Sequence, residues 1–367
     1  MYPLTTLEVE AAGAAGQAAM PLVSIIVPCR NEEQFIAACL DSILASNFPR
    51  GRMEVLVVDG LSEDGTKRIV GEYAKAHGFI RLLTNAKKSI PAAMNVGIRS
   101  ARGEIIMKMD AHTVYAPGYI AKCVQLLEAY GADNVGGVIR TLPREDTLFG
   151  RAIATALSNR FGVGNSYFRI GVGEPRLADT AFSGCYRKAV FERVGLYDER
   201  IEFSEDIVLN TKLTRAGGKI LLVPEIVSEY RARSDMKSFW LHNWRNGKWS
   251  VLPFKYASGV PMSWRHLAPL GLVVGLGGLA TLTLSGVTSP LPLLLLMGAY
   301  TSGNLGASAV LALREKDIRY LAVLPVVFGA LHFGYGIGAG VGLINLILSS
   351  AAWVLGLGDN RRSHPRV

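Results

Sequence analysis

Asp59 closes the apolar run Val55-Leu56-Val57-Val58, and Asp110 closes Ile105-Ile106-Met107-Lys108-Met109, with His112 two residues further on. A carboxylate at the tip of an apolar strand can accept hydrogen bonds from a nucleotide base or ribose, although Asp59-Gly60 equally suits a turn. The spacing of Asp110 and His112 lets a carboxylate oxygen and an imidazole nitrogen face one point beyond the strand. A divalent cation there could bridge a diphosphate. Further along, Glu205-Asp206 follows Phe203-Ser204 at the start of an amphipathic stretch. Acids at that position favour the helix dipole, and a buried carboxylate in a cleft can equally act as a general base toward a hydroxyl.

Other motifs carry less. Gly162-Val163-Gly164 and Gly171-Val172-Gly173 neither follow a strand pattern nor open a helix, so they read as loop glycines. Gly217-Gly218-Lys219 lacks the upstream glycine of a phosphate-binding loop, since Leu213 stands there, and reads as a helix C-cap. The six histidines show no zinc-ligand spacing, and no Ser–His–Asp pattern occurs. Cys29, Cys39, Cys123 and Cys185 lack C-x-x-C spacing, which suits free thiols in a reducing compartment.

The elements that must position these residues are legible from Leu22 to Asp110. Short β-branched runs alternate there with amphipathic segments, as in βα units on a mostly parallel sheet. Strands are expected at Val23 to Pro28, Glu54 to Asp59, Phe79 to Thr84 and Glu104 to Asp110, with helices over Glu32 to Ala45 and Thr66 to His77 and a third opening near Pro91. Ligands of such sheets bind beyond the carboxyl ends of the strands. The residues there are Cys29, Arg30, Asn31, Asp59, Gly60, Lys87, Lys88, Asp110, Ala111 and His112. Pro117 to Arg233 reads as less regular, with helices at Tyr119 to Tyr130 and Glu205 to Ala216.

Composition then excludes a purely soluble protein. Of 367 residues half are hydrophobic and 19% charged, and His266 to Leu313 runs for 48 residues without Lys, Arg, Asp or Glu. A second uncharged stretch runs from Tyr320 to Gly358. Roughly 20 apolar residues span a bilayer core, so both stretches are membrane-spanning by length. Three crossings are expected, or four if a hairpin or re-entrant turn lies near Gly334 to Gly342. The net charge of +9 gathers beside these stretches, at Lys237, Arg245, Lys248, Lys255 and Arg265, at Arg314, Lys316 and Arg319, and at Arg361, Arg362 and Arg366. That distribution fits anionic lipid headgroups and no nucleic acid. Met236 to Val251 mixes Phe239, Trp240, Trp244 and Trp249 with basic residues, as a helix lying in the headgroup plane does. The chain thus divides into a tail (1–20), a globular α/β domain (21–234), an interfacial segment (235–265), spans (266–356) and a basic tail (357–367). With no secretory signal at the N-terminus, the globular domain is expected on the cytoplasmic side of the inner membrane.

The order of the pieces is more specific than any one of them. Val23-Ser24-Ile25-Ile26-Val27-Pro28-Cys29-Arg30-Asn31-Glu32-Glu33, Val57-Val58-Asp59-Gly60-Leu61-Ser62-Glu63-Asp64-Gly65-Thr66, Asn95-Val96-Gly97, Met109-Asp110-Ala111-His112, Gly195-Leu196-Tyr197-Asp198-Glu199 and Ser204-Glu205-Asp206 follow one another as in the family 2 glycosyltransferases, which residues 22–233 resemble. Asp-Ala-His, Asn-Trp-Arg-Asn-Gly-Lys-Trp and the late His332-Phe333-Gly334-Tyr335-Gly336 are similar to the succinoglycan-type glucosyltransferases of bacterial exopolysaccharide assembly.

This resemblance implies a GT-A nucleotide-diphospho-sugar fold, inverting hexosyl transfer and a divalent cation, Mn2+ or Mg2+. It places Pro28, Asn31, Glu32 and Asp59 at the nucleoside of the donor, a UDP-sugar, and Asn95 near its ribose or diphosphate. Asp110 and His112 would stand for the metal motif, and Asp206 would be the base. Gly184, Glu205, Trp244 and Arg245 fall on the acceptor side. His112 replaces the second acid of the family's D-x-D, which leaves the site less anionic and favours Mn2+. The Q-x-x-R-W of processive synthases is reduced at His242-Asn243-Trp244-Arg245-Asn246 to its Arg, so addition of one sugar is expected. Several spans suit a polyprenyl-linked saccharide acceptor held in the bilayer. A polyprenyl-phosphate sugar synthase, a sugar-phosphate nucleotidyltransferase and a silent nucleotide-sugar-binding scaffold are the alternatives.

Overall fold

The computed structural model describes residues 21–255 and 264–354. The two tails read from the sequence, and 256–263 of the interfacial segment, lie outside the described residues. The described residues form two compact units, divided between Ser234 and Asp235.

In the first unit, β1 (Val23–Cys29) and β2 (Met53–Asp59) are apolar along almost their whole length because both faces of the sheet are covered. Alternate residues feed two cores. Val23, Ile25, Val27, Val55 and Val57 face one, and Ile26, Leu56 and Val58 face the other. β1 pairs in parallel with β2 and with β4 (Ile105–Lys108), and β2 with β3 (Ile80–Thr84). The connections are helices α1 (Ile36–Leu44), α2 (Thr66–Ala76) and α3 (Ile90–Ser100). Registers set the strand ends. Cys29 lies opposite Asp59, so β1 and β2 finish level. β4 stops at Lys108, short of the expected Asp110, and Met109–His112 turns away beyond it.

The sheet continues where the sequence reads as irregular. β5 (Thr113–Tyr115), α4 (Tyr119–Ala129), β6 (Asn134–Pro143), α5 (Leu148–Leu157), the short helices α6 (Arg160–Val163) and α7 (Tyr167–Ile170), β7 (Arg176–Leu177), β8 (Phe182–Arg187), α8 (Ala189–Val194), α9 (Glu205–Arg215) and β9 (Ile220–Ala232) follow in order. Eight strands run β3-β2-β1-β4-β8-β6-β9-β5, with β7 paired to β9. Strands β6 and β9 escape sequence reasoning because Gly136-Gly137 and Pro224 interrupt their patterns. The register shift between Gly137 and Val138, opposite Val223 and Val227, absorbs the irregularity as a bulge.

In the second unit, Asp235 caps α10 (Met236–Val251) by accepting from the Ser238 N–H at 2.8 Å. Three helices long and apolar enough to cross a membrane follow: α11 (Trp264–Leu284), α12 (Leu291–Arg314) and α13 (Tyr320–Val354). α13 is continuous through 334–342, where a fourth crossing would need a hairpin or re-entrant turn. The glycines there serve close approach instead. A Cβ on Gly338 would stand 2.0 Å from the Trp244 carbonyl oxygen, and one on Gly247 would stand 1.9 Å from that of Tyr335. α10 and α13 therefore meet backbone to backbone, as small residues permit between helices. The buried face of α10 is Phe239, Asn243 and Gly247, while Trp240, Trp244 and Trp249 are half-buried and Arg245 is exposed.

Candidate active site

The level ends of β1 and β2 and the turn after β4 open on a cleft of about 160 Å³ lined by Pro28, Cys29, Arg30, Glu32, Gly60, Asn85, Lys88, Ser89, Ile90, Ala93, Asp110, Ala111 and His112. Of the donor and metal residues expected from sequence, Pro28, Glu32, Asp110 and His112 lie together on its wall. Asn31, Asp59 and Asn95 are not part of that lining. Asp59 is buried, and its two oxygens accept from the Ser62 N–H at 3.3 and 3.2 Å and from the Ser62 hydroxyl at 2.5 Å. Ser62 Oγ in turn accepts from the Asn31 N–H at 2.9 Å, and Asn31 Oδ1 accepts from the Glu63 N–H at 2.9 Å. Asp59 thus caps the turn after β2, and Asn31 ties the loops after β1 and β2 together. Asn95 is buried. Its Nδ2 donates to the Tyr197 carbonyl and to Glu199 Oε1, both at 2.9 Å, and its Oδ1 accepts from the Tyr197 N–H at 3.0 Å.

The loops are braced by strained backbone. Asn31, Leu61, Lys88, Ser183 and Ser204 all have φ between 48° and 61° without being glycine. Each costs of order 1–3 kcal/mol and persists only where its surroundings over-determine it. Asn31, Leu61, Lys88 and Ser204 sit in loops, and Ser183 lies near the start of β8, against the Tyr115 hydroxyl.

His112 Nδ1 lies 3.2 Å from Glu32 Oε1, and its ring meets Tyr230 edge-on at 5.8 Å. Burial pulls the imidazole pKa down, but the bond to Glu32 and the charges of Asp110 and Glu32 outweigh burial and leave it raised. The Asp110 N–H donates to the Tyr115 hydroxyl at 2.7 Å, and that hydroxyl contacts Ser183 Oγ at 3.2 Å. Cys29 is no nucleophile here. Burial and the charge of Asp59 push its thiol up to about 12.

Behind the cleft, Lys108 Nζ donates to Glu205 Oε1 at 3.0 Å in a buried ion pair. Its positive charge is felt by Asp206 as well, and its own pKa is raised: burial lowers it, but Glu205, Asp110 and Asp206 outweigh that. Asp206 is raised to about 6 by burial and by the charge of Glu205, against the pull of Lys108 and the Ile207 N–H, with Asp110 adding to the rise. The two acids expected to act together, Asp110 and Asp206, therefore sit within electrostatic reach of one another around one lysine. α9, which carries Asp206, is fixed by a buried network. Asn210 Oδ1 accepts from Asn134 Nδ2 and from the Tyr186 hydroxyl, both at 3.1 Å, and its Nδ2 donates to Thr180 Oγ1 at 3.0 Å.

Of the acceptor-side residues, Glu205 is the lysine partner just described. Gly184 is a packing position, because a Cβ there would stand 2.4 Å from the Tyr186 ring. Trp244 and Arg245 belong to α10 in the second unit, where Lys248 Nζ lies 5.5 Å from the Trp244 ring centroid. Sequence reasoning passed over Lys108, Tyr115 and Tyr230. A lysine inside the apolar run Ile105-Ile106-Met107-Lys108-Met109 is itself a signal, since lysine is almost never buried without a partner.

Among the described residues no group of three or more His, Cys, Asp or Glu could hold a metal ion. At the cleft Asp110 offers a carboxylate and His112 an imidazole, whose Nδ1 is held by the second carboxylate there, Glu32. That set fits a cation taking its remaining ligands from a diphosphate and water.

A mixed sheet flanked by helices, with a polar cleft beyond its parallel strand ends, defines a GT-A glycosyltransferase fold. The mannosyltransferase PcManGT from Pyrobaculum calidifontis, solved with GDP-Man and Mn2+, has a similar fold (TM-score 0.59, 21% identity, 89% of this chain and 88% of that one). Residues 24–195 match the model of glycosyl transferase family 2, which supports a family 2 glycosyltransferase domain in the first unit. It is 28% identical over 325 residues to the succinoglycan biosynthesis protein ExoA of Rhizobium meliloti (strain 1021), covering 88% of this chain and 86% of the relative. It is also 28% identical over 228 residues to the dolichyl N-acetyl-α-D-glucosaminyl phosphate 3-β-D-2,3-diacetamido-2,3-dideoxy-β-D-glucuronosyltransferase of Methanococcus voltae, covering 60% and 70% of the two chains.

Proposed function

We propose that this glycosyltransferase moves a single sugar, with inversion, from a nucleotide-diphosphate sugar to a lipid-linked saccharide at the cytoplasmic face of the inner membrane. The observation that carries the reading is the gathering of Asp110, Asp206 and Glu205 around Lys108 beside the strand-end cleft. Pro28, Glu32, Arg30 and Lys88 offer the donor its contacts, while Asn31, Asp59 and Asn95 hold the loops that present them. A divalent cation, held by Asp110 and His112, would offset the charge on the departing diphosphate. Asp206, poised near neutrality, takes the proton of the attacking hydroxyl. Lys108 neutralises Glu205, so that one carboxylate of the adjacent pair remains free for proton transfer.

The lipid-linked acceptor is supported by the three apolar helices and by the relative named for a dolichyl-phosphate-linked sugar substrate. The first two crossings return the basic loop at Arg314 to Arg319 to the side from which the first span departs, in keeping with the excess of basic residues in cytoplasmic loops. The test is a screen of nucleotide sugars, UDP-sugars first, with membrane lipid extract, following nucleoside diphosphate release with and without Mn2+. Release should require both lipid and cation. Equal rates with a water-soluble sugar would remove the lipid-linked acceptor, and a product carrying a phosphodiester-linked sugar would make the chain a polyprenyl-phosphate sugar synthase instead.

A further inference from the structure

Arg169 is a cation with a buried, unpaired guanidinium nitrogen. It stands on α7, its guanidinium carbon 5.3 Å from the Phe168 ring centroid and 5.4 Å from that of Tyr230. Tyr230 is its hydrogen-bond partner. Its Nη1 is buried with no hydrogen-bond partner, and no ion pair of Arg169 occurs among the described residues. By contrast, Lys108 is paired with Glu205, Arg187 with Glu128 and Arg193 with Asp133. An arginine stays protonated when buried, and an unpaired buried charge is strongly destabilising. Such a residue calls for an anion supplied from outside the chain.

The surroundings narrow the anion and its place. Phe168 stacks on Phe182 at 6.4 Å, and Phe182 meets Tyr230 edge-on at 6.2 Å, so Arg169 emerges from an aromatic wall. Tyr230 also touches His112 at 5.8 Å, which joins that wall to the cleft. The planar donor fork of arginine matches phosphate oxygens two at a time. We propose that Arg169 binds a substrate phosphate group next to His112. This rests on the reading of the chain as a transferase with phosphate-bearing substrates. The phosphate comes either from the donor diphosphate or from the link between sugar and lipid in the acceptor.

The test uses the full chain in detergent micelles and measures binding without turnover. Affinities for UDP and GDP with Mn2+, and for a polyprenyl phosphate against the matching polyprenol, are compared in wild type, Arg169→Gln and Arg169→Lys. Losing a charge-assisted hydrogen bond should weaken one phosphate ligand by about ten-fold or more in Arg169→Gln. A fall in polyprenyl phosphate affinity to the polyprenol level, with nucleotide affinity unchanged, upholds the site and assigns it to the acceptor; the converse upholds it for the donor. Unchanged affinity for both overturns the proposal. If Arg169→Gln does not fold, Arg169→Lys, which loses the two-pronged donor face, gives the same readout. Arg169-dependent phosphate binding in a chain that transfers no sugar upholds this site and removes the transferase reading. Transfer with phosphate affinities independent of Arg169 does the reverse.

Discussion

Replacing Asp206 by Asn should remove activity and add stability together. In the folded chain this carboxyl is raised from 3.8 to about 6, because burial and the charge of Glu205 oppose ionisation more than Lys108 favours it. Between those values the folded chain keeps a proton that the unfolded chain has released. Stability therefore falls as pH rises through that window and stays lower above it. Two units correspond to about 3 kcal/mol at neutral pH. Asn keeps an oxygen to accept the Ile207 N–H, 2.9 Å away, and carries no charge to desolvate. Asp206→Asn should thus melt at a higher temperature than wild type at neutral pH, with the difference vanishing near pH 4. Transfer should fall by about 10²–10⁴-fold, the usual contribution of a general base, with donor binding nearly intact. In wild type, kcat/KM should rise with pH through an acid limb centred near 6, the value of the Asp206 carboxyl. Differential scanning fluorimetry across pH and nucleoside diphosphate release give the readouts. A variant that melts lower than wild type at neutral pH, or that keeps wild-type turnover, refutes the burial argument or the base assignment respectively.

Tyr115→Phe removes the hydroxyl that receives the Asp110 N–H and leaves that group without its partner. A loss of about 1–3 kcal/mol in stability is expected by thermal melting, with weakened Mn2+-dependent nucleotide binding by calorimetry. Gly184→Ala drives a methyl into the Tyr186 ring and should cost about 1–3 kcal/mol, read as a lower melting temperature. Gly338→Leu must part α10 from α13 because the added Cβ alone meets the Trp244 carbonyl. Protease cleavage within 236–251 should quicken, while nucleotide binding by residues of the first unit stays as in wild type.

How much was legible depends on what each residue type can mean alone. The parallel half of the sheet announces itself because strands covered on both faces read as unbroken apolar runs, and the acids that end them stand out for the same reason. Asp59 stayed ambiguous in sequence because an acid before glycine serves turn and ligand equally; in the structure it accepts from Ser62, three residues on, a partner no local pattern marks. Asn95 reads as a polar residue opening onto a ligand, yet its three hydrogen bonds clasp Tyr197 and Glu199, more than a hundred positions away, which no local pattern encodes. Strands β6 and β9 were hidden by glycine and proline whose cost a bulge absorbs. In α13 the glycines of 334–342 left open whether the chain turns there, since the sequence does not show the helix lying against them.

The five non-glycine residues held at positive φ around the cleft have a consequence for anyone improving this protein. Glycine at Asn31, Lys88 or Ser204 would adopt the same conformation without steric conflict, so selection for heat resistance alone should drift toward it. Each such gain would remove a side chain in or near the loops around the cleft. Hardening the scaffold and keeping it competent are opposed demands at these positions, and a thermostability screen run without an activity filter would erode the pocket first.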